Sequence, residues 1–478
     1  MTGNVLFLMS DEHSREIAGC YGNPLVRTPN LDALAARGVV FDNAYCNSPI
    51  CVPSRASLAT GDHVHRIGYW DSAAAYDGRV PSWHHRVRAA GHDMVAIGKL
   101  HYRSADDDNG FSAVQHAMYV LDGIGDTHGL LRRDRRVREV SRELAGEAGR
   151  GMSVYTRYDT KVADATVRWL RERGKSREDG KPWVLFSSMV SPHYPLIAPD
   201  AFYDLYAGIE LPRPRFYGEA ERPDHPVIDH YRATWNYDEH FDEERLRIGL
   251  TAYYGLCSFL DFQIGRILAT LEESGFADDT LVLYTSDHGE NLGNRGLWGK
   301  CVMYEESSGV PLLMAGPGVA AGARCATPVS LVDIYPTVVE FACGALDARE
   351  RALPGRNLVG LVGEHPADRV VFGEMHDDGS MTGTFMVRRG DWKLVHYVGG
   401  PPQLFDLAAD PFEARDLAGR SDTAEVQRRL YEELHRIVDP EAADRRAFAD
   451  QEARIERLGG VGAILARPDF NFTPLPVS

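Results

Sequence analysis

Val5-Leu6-Phe7-Leu8-Met9, followed at once by Ser10-Asp11-Glu12-His13, is the stretch on which the fold turns. An apolar run this short, bounded by polar residues and without alternation, predicts a strand buried on both faces, as in a parallel sheet. The unit recurs at Met94 to Ile97, Trp183 to Met189, Leu281 to Thr285 and Val310 to Met314. Between these runs lie helical patterns, such as Leu31 to Arg37 stopped by Gly38 and Val162 to Arg173 stopped by Gly174. A longer helix is predicted from about Asp242 to Glu273, with Gly275 as its stop. Strands alternating with helices predict an α/β fold whose mostly parallel sheet is sandwiched by helices.

The pattern changes after about residue 370. Phe385 to Arg388, Trp392 to Tyr397 and Gln403 to Leu407 are strand-like pieces separated by turn residues, and a helix from about Thr423 to Val438 follows. This predicts a smaller C-terminal α+β domain with an antiparallel sheet. The expected organisation is a catalytic domain over 1–370, an α+β subdomain over 371–440, and a tail over 441–478 that packs on the core or on a neighbouring subunit.

Composition narrows the function. A chain of 478 residues with 44% hydrophobic and 25% charged residues is an ordinary globular protein with room for a deep site. Its formal charge of −17 argues against nucleic acid as a partner. No run approaches the ~18 apolar residues of a membrane span, and the start lacks the basic and small-residue marks of a signal peptide; the expected location is the cytoplasm, with no membrane partner. The seven cysteines are scattered without a Cys-x-x-Cys pair, which predicts neither a disulfide framework nor a structural zinc site.

In parallel sheets ligands bind beyond the carboxyl ends of the strands. Four exits are unusually polar: Asp11-Glu12-His13, Lys99-Leu100-His101, His193, and Asp287-His288-Gly289-Glu290. Each residue alone has a plain explanation as a cap, a turn former or a solvated surface group. If the strands share one sheet, their side chains converge. Asp11, Asp287 and His288 then suit a hard divalent cation, while Lys99, His101, His193 and Lys300 suit an anion and proton transfer. Separately, Cys51-Val52-Pro53-Ser54-Arg55-Ala56-Ser57-Leu58-Ala59-Thr60-Gly61 reads as a helix opened by Pro53 and ended by Gly61, with Cys51 at its positive N-terminus.

Cys-x-Pro-x-Arg followed by Ala-Ser-Leu-x-Thr-Gly resembles the signature of the formylglycine-dependent sulfatases. Thr28-Pro29-Asn30-Leu31-Asp32, Gly98-Lys99-x-His101, Ser191-Pro192-His193, Thr285-Ser286-Asp287-His288-Gly289 and Leu297-Trp298-Gly299-Lys300 resemble blocks of that family in the same order. So does the C-terminal run Gln403-Leu404-Phe405-Asp406-Leu407. The resemblance implies an alkaline-phosphatase-like fold and hydrolysis of a small-molecule sulfate monoester. It implies a formylglycine made from Cys51 by a formylglycine-generating enzyme, and one divalent cation, calcium first with magnesium or manganese as alternatives. By position, Asp11, Asp287, His288 and the modified Cys51 become metal ligands. Arg55 and Lys99 hold the hydrate and the sulfate oxygens, His101 acts on the hydrate hydroxyl, and His193 and Lys300 meet the leaving oxygen. The tail, as in similar enzymes, suggests a homo-oligomer, a dimer or tetramer.

Many sulfatases carry a second Asp after the first and an Asn after the later Asp, whereas this chain has Glu12 and His288. His288 resembles the branch containing choline sulfatase, arylsulfatases and the bacterial phosphonate monoester hydrolases. Two alternatives follow: a phosphonate monoester or phosphodiester hydrolase using the same nucleophile, and a non-catalytic relative acting as a binding protein. Trp70, Tyr102, Trp235 and Glu374 are candidates for recognising a cationic alcohol.

Overall fold

A computed structural model describes residues 3–133, 137–138, 140–176, 180–364, 369–469 and 473–475. Phe472 and Pro476, part of the predicted tail, lie outside them. The first apolar run forms β1 (Asn4–Asp11), buried along its whole length. Around it assemble β2 (Val39–Phe41), β3 (Asp93–Lys99), β4 (Ala113–Met118), β5 (Trp183–Pro192), β6 (Thr280–Ser286), β7 (Leu312–Ala315) and β8 (Ala323–Cys325). Their order is β8-β2-β7-β6-β1-β5-β3-β4. All pairings are parallel except those of β7, which runs antiparallel to β2 and β6. The sheet is thus mostly parallel, with one reversed strand. The edge strand β4 and the short strands β2 and β8 carry too little apolar periodicity to be read from sequence.

Side chains alternate across β1, so each face takes its own helices. Val5, Phe7 and Met9 pack with α2 (Cys51–Thr60), α3 (Trp83–Ala89) and α7 (Ile334–Cys343). Leu6 and Leu8 face α1 (Pro29–Ala36), α4 (Val154–Lys175) and α6 (Glu243–Glu273). The long helix begins where expected because the Asp242 side chain accepts from the Arg245 amide. Helix α4 begins earlier than its apolar stripe suggests, at a Ser153 cap that accepts from the Thr156 amide.

The C-terminal sheet is a four-stranded meander of β9 (Val370–Met375), β10 (Thr384–Arg389), β11 (Trp392–Tyr397) and β12 (Gln403–Asp406). Strand β9 falls where the sequence reading set a domain boundary. One face carries Phe385, Val387 and Leu394 against Leu430 and Leu434 of α8 (Ala424–Ile437). The other presents Met386, Val395 and Phe405 to Tyr45, Ile50 and Tyr304 of the large sheet's loops. Beyond it, α9 (Pro440–Arg457) returns to the catalytic region, where Trp70 Nε1 donates to Asp450 at 2.8 Å and Gln451 Nε2 donates to Asp71 at 2.9 Å. The Thr473 carbonyl accepts from the Tyr155 hydroxyl at 2.7 Å.

Charge also joins the two sheets. Lys393, fully buried on β11, lies 2.9 Å from Glu305 and 2.9 Å from Glu413, and Arg15 reaches Glu305 at 2.8 Å. A buried cation shared by two carboxylates is strongly felt when removed, because its partners stay desolvated and unpaired. Lys393→Met is expected to lower the unfolding free energy by about 3–5 kcal/mol, read from equilibrium urea unfolding. A loss under about 1 kcal/mol would mean that the two carboxylates are compensated from elsewhere.

Candidate active site

The strand exits converge at the carboxyl edge of β1, β3, β5 and β6. Asp11 ends β1, Lys99 ends β3, and Asp287 and His288 follow β6. Gly98 lets β3 reach this edge: its φ is +104°, and a Cβ there would stand 2.0 Å from the Ser188 carbonyl oxygen. Gly289 is similarly required, since a Cβ would lie 2.1 Å from the Glu306 carbonyl oxygen. Cys51 opens α2 behind the extended Ile50, which offers no side-chain cap, so the first-turn amides and the helix dipole face the site.

Arg55, one turn further along α2, organises the carboxylates. Its Nε donates to Asp287 Oδ2 at 2.7 Å, Nη2 to Asp11 Oδ2 at 3.1 Å, and Nη1 to the Lys99 carbonyl at 2.9 Å and Ser188 Oγ at 3.0 Å. Lys99 Nζ adds a 2.6 Å ion pair to Asp11 Oδ2. The second oxygens are left to one another's neighbourhood: Asp11 Oδ1 and Asp287 Oδ1 each lie 3.6 Å from His288 Nε2. Cys51 Sγ stands 3.1 Å from that nitrogen and 3.6 Å from Asp11 Oδ1.

His288 Nδ1 lies 2.9 Å from the Gly289 carbonyl, which can only accept, so Nε2 presents a lone pair to the cluster. The ligand atoms of Asp11, Cys51, Asp287 and His288 all fall within 4.8 Å of one another. Two hard oxygens, a correctly oriented imidazole and the Cys51 side chain, all buried, fit a divalent cation. Burial opposes ionisation of Asp11, but Lys99, His193, Arg55 and His288 together hold its carboxyl well below the usual range. Burial and then Asp11 push the Cys51 thiol upward, so the unmodified side chain is a neutral thiol and a weak nucleophile.

A second group faces the cluster. Lys300 Nζ lies 2.8 Å from His193 Nε2 and 2.9 Å from Glu12 Oε2, and His193 Nε2 lies 3.8 Å from Asp11 Oδ1. Burial and Lys300 depress His193 to about 3. His101 lines the same pocket with both ring nitrogens unpartnered and a backbone φ of 53°, a strained conformation typical of functional positions. Burial first, then Lys99 and Arg55, keep it neutral.

All nine site residues named from sequence therefore meet in one place. Above them the pocket is walled by Tyr194, Tyr231, Trp235 and Tyr237, with Asp126, Arg138 and Asp378 further along. Of the four aromatic and acidic candidates for substrate recognition, Trp235 lines this pocket. The others are engaged elsewhere: Trp70 with Asp450, Tyr102 against Tyr76, and Glu374 between His65 and His376. Tyr194 and Asp378 were not anticipated. Tyr194 adjoins His193 in sequence and could have been suspected, whereas Asp378 lies on the loop after β9 and reaches the pocket only through the docking of the second sheet.

Fold and site together define an α/β protein of the alkaline-phosphatase-like type with a buried donor cluster at the carboxyl edge of its sheet. Residues 3–345 match the sulfatase family model, and residues 293–439 match the model described as N-sulphoglucosamine sulphohydrolase, C-terminal. A choline-sulfatase from Rhizobium meliloti is 33% identical over 423 residues, covering 87% of this chain and 82% of its own. Arylsulfatase K from Danio rerio is 32% identical over 462 residues, covering 91% and 84%. Among solved structures, the phosphonate monoester hydrolase of Agrobacterium radiobacter superposes with a TM-score of 0.72 at 24% identity, over 91% of this chain and 95% of its own, and shares the fold. The chain belongs to the sulfatase family, and it is a sulfuric ester hydrolase.

If the donor set holds a cation, calcium added to chelator-treated protein at about 100 times its Kd is expected to stabilise the fold by about 2.7 kcal/mol. Asp11→Asn and Asp287→Asn should each abolish the corresponding thermal shift. A shift that survives both substitutions would place the cation elsewhere.

Proposed function

We propose that this enzyme cleaves sulfate monoesters to alcohol and sulfate, using the hydrate of a formylglycine derived from Cys51 as nucleophile. The observation that carries the reading is the position of Cys51: at an uncapped helix N-terminus, within hydrogen-bonding range of His288 and beside the two carboxylates that Arg55 holds. A divalent cation held by Asp11, Asp287, His288 and the modified Cys51 would supply charge neutralisation and polarisation of the attacking hydroxyl.

The chain's own groups account for the rest. One hydroxyl of the hydrate loses its proton to water and attacks sulfur in line while the bond from sulfur to the ester oxygen breaks. Arg55 and Lys99 fix the carboxylates and meet the sulfate oxygens, and Lys300 with His193 faces the departing oxygen. The second hydroxyl gives its proton to His101, whose two nitrogens are otherwise unpartnered. The carbon–oxygen bond to sulfate then breaks, the aldehyde re-forms, and water restores the hydrate. A serine or unmodified cysteine has no such exit.

The reading brings with it a formylglycine-generating enzyme for maturation, a cytoplasmic site of action, and assembly into a dimer or tetramer. Calcium is the proposed cation. The fold shared with phosphonate monoester hydrolases supports a second activity, hydrolysis of phosphonate monoesters or phosphodiesters at the same nucleophile.

Mass spectrometry of the peptide spanning residues 51–55 should find the aldehyde in place of the thiol in active protein. Cys51→Ala should lower kcat/KM for an aryl sulfate by at least about a thousandfold. Turnover unchanged by that substitution would remove Cys51 from the mechanism. In parallel assays the aryl sulfate should exceed the matched aryl phosphonate in kcat/KM, and a large excess the other way would transfer the principal function to the phosphonate.

A further inference from the structure

Glu12 follows Asp11 of the metal-type donor set, and its carboxylate is engaged by Lys300 and His193. Its backbone occupies the left-handed region, φ 64°, and is pinned there from both sides: the amide donates to Asp287 Oδ1 at 3.3 Å and the carbonyl accepts from the Tyr253 hydroxyl at 2.6 Å. A glutamate adopts that conformation only where its surroundings enforce it. Here the side chain leads to the other half of the site, where Oε2 lies 2.9 Å from Lys300 Nζ and 3.2 Å from His193 Nε2.

The three groups form a triangle with defined proton positions. His193 Nδ1 lies 2.7 Å from the Tyr194 carbonyl, an obligate acceptor, so Nδ1 carries the hydrogen and Nε2 accepts from Lys300 at 2.8 Å. The ammonium thus bridges two acceptors. Asp11, Glu12 and His193 are also close enough to hold a cation among themselves, but Lys300 already places a positive charge between Glu12 and His193. Glu290 steadies the same arrangement: its Oε1 accepts from the amides of Leu292 at 2.6 Å and Gly299 at 2.7 Å, closing the loop that delivers Lys300.

Resting on the reading of Lys300 and His193 as the groups facing the ester oxygen, we infer that Glu12 is a positioning residue for leaving-group protonation, holding Lys300 against His193, and is not a cation ligand. As the bond from sulfur to the ester oxygen breaks, that oxygen takes a proton from Lys300 Nζ, which keeps a hydrogen beyond those directed at Glu12 and His193. The amine regains it from water after the alcohol departs. Glu12 keeps its charge throughout and supplies the anion against which the ammonium is oriented.

A poor leaving group needs this proton and a good one does not, which separates the inference from a merely structural role. Purified wild-type, Glu12→Gln and Glu12→Asp proteins would be assayed on 4-nitrophenyl sulfate and phenyl sulfate, with bound metal per chain and thermal midpoint measured on the same samples. For Glu12→Gln, kcat on phenyl sulfate should fall more than about tenfold while kcat on 4-nitrophenyl sulfate changes less than about threefold. Metal content should be unchanged, and Glu12→Asp should recover part of the loss. Equal losses on both substrates with metal gone would make Glu12 a ligand; equal losses with metal retained, or no loss on either, would equally overturn the inference. Should the wild type turn over aryl phosphonates and not sulfates, the sulfate reading fails separately, and the same comparison is made with 4-nitrophenyl and phenyl methylphosphonate.

Discussion

Arg55 is the contact on which the site depends. One buried guanidinium reaches the carboxylates of Asp11 and Asp287, the Lys99 carbonyl and the Ser188 hydroxyl, and so touches the ends of β1, β6, β3 and β5 together. A planar fork with five donors can do this, whereas a lysine could not span the same partners. The same contacts decide which oxygen of each carboxylate is used for structure and which is left to face Cys51 and His288. Two carboxylates brought this close in a dry interior would otherwise repel, and the Arg55 guanidinium between their Oδ2 atoms makes their approach tolerable.

The second sheet completes the pocket by packing. Its inner face meets the loops around Tyr45, Ile50 and Tyr304, the last two flanking Cys51 and Glu305 in sequence. Lys393 and Glu413 carry the ionic side of the same junction. Asp378, on the turn beyond β9, then stands on the pocket wall with Arg138 and Asp126. The recognition end of the cleft is therefore assembled between two sheets, while the chemical end belongs to one.

That division explains what could be read from residues alone. Much of the site was legible because five of its groups stand at the ends of apolar strands, and a parallel sheet brings such exits to one edge whatever the lengths of the connections. Asp11, Lys99, His193, Asp287 and His288 share that property, whereas Arg55 came only with the resemblance to the sulfatase signature. Glu12 was visible as a residue but not as a role, because its direction is set by a left-handed backbone that sequence does not announce. The reversed strand β7 has the same apolar content as its parallel neighbours, so periodicity cannot give its sense. Apart from Trp235, the pocket wall was least legible, since Asp126, Arg138 and Asp378 come from segments joined only by tertiary packing.

The charge balance of the centre bears on why one architecture can serve two kinds of ester. Within it Arg55, Lys99 and Lys300 stand against Asp11, Glu12 and Asp287, while His101 and His193 are kept neutral by burial and by their cationic neighbours. Such a cluster carries no net formal charge, so a divalent cation held there would make it attractive to an anion. A sulfate monoester and a phosphonate monoester each bring a single negative charge on a tetrahedral centre and satisfy that condition equally. Discrimination between them then cannot come from overall charge, nor from the departing alcohol when the two share it; it has to come from how the remaining substituents of the tetrahedral centre are met, three oxygens in the one and two oxygens and a carbon in the other.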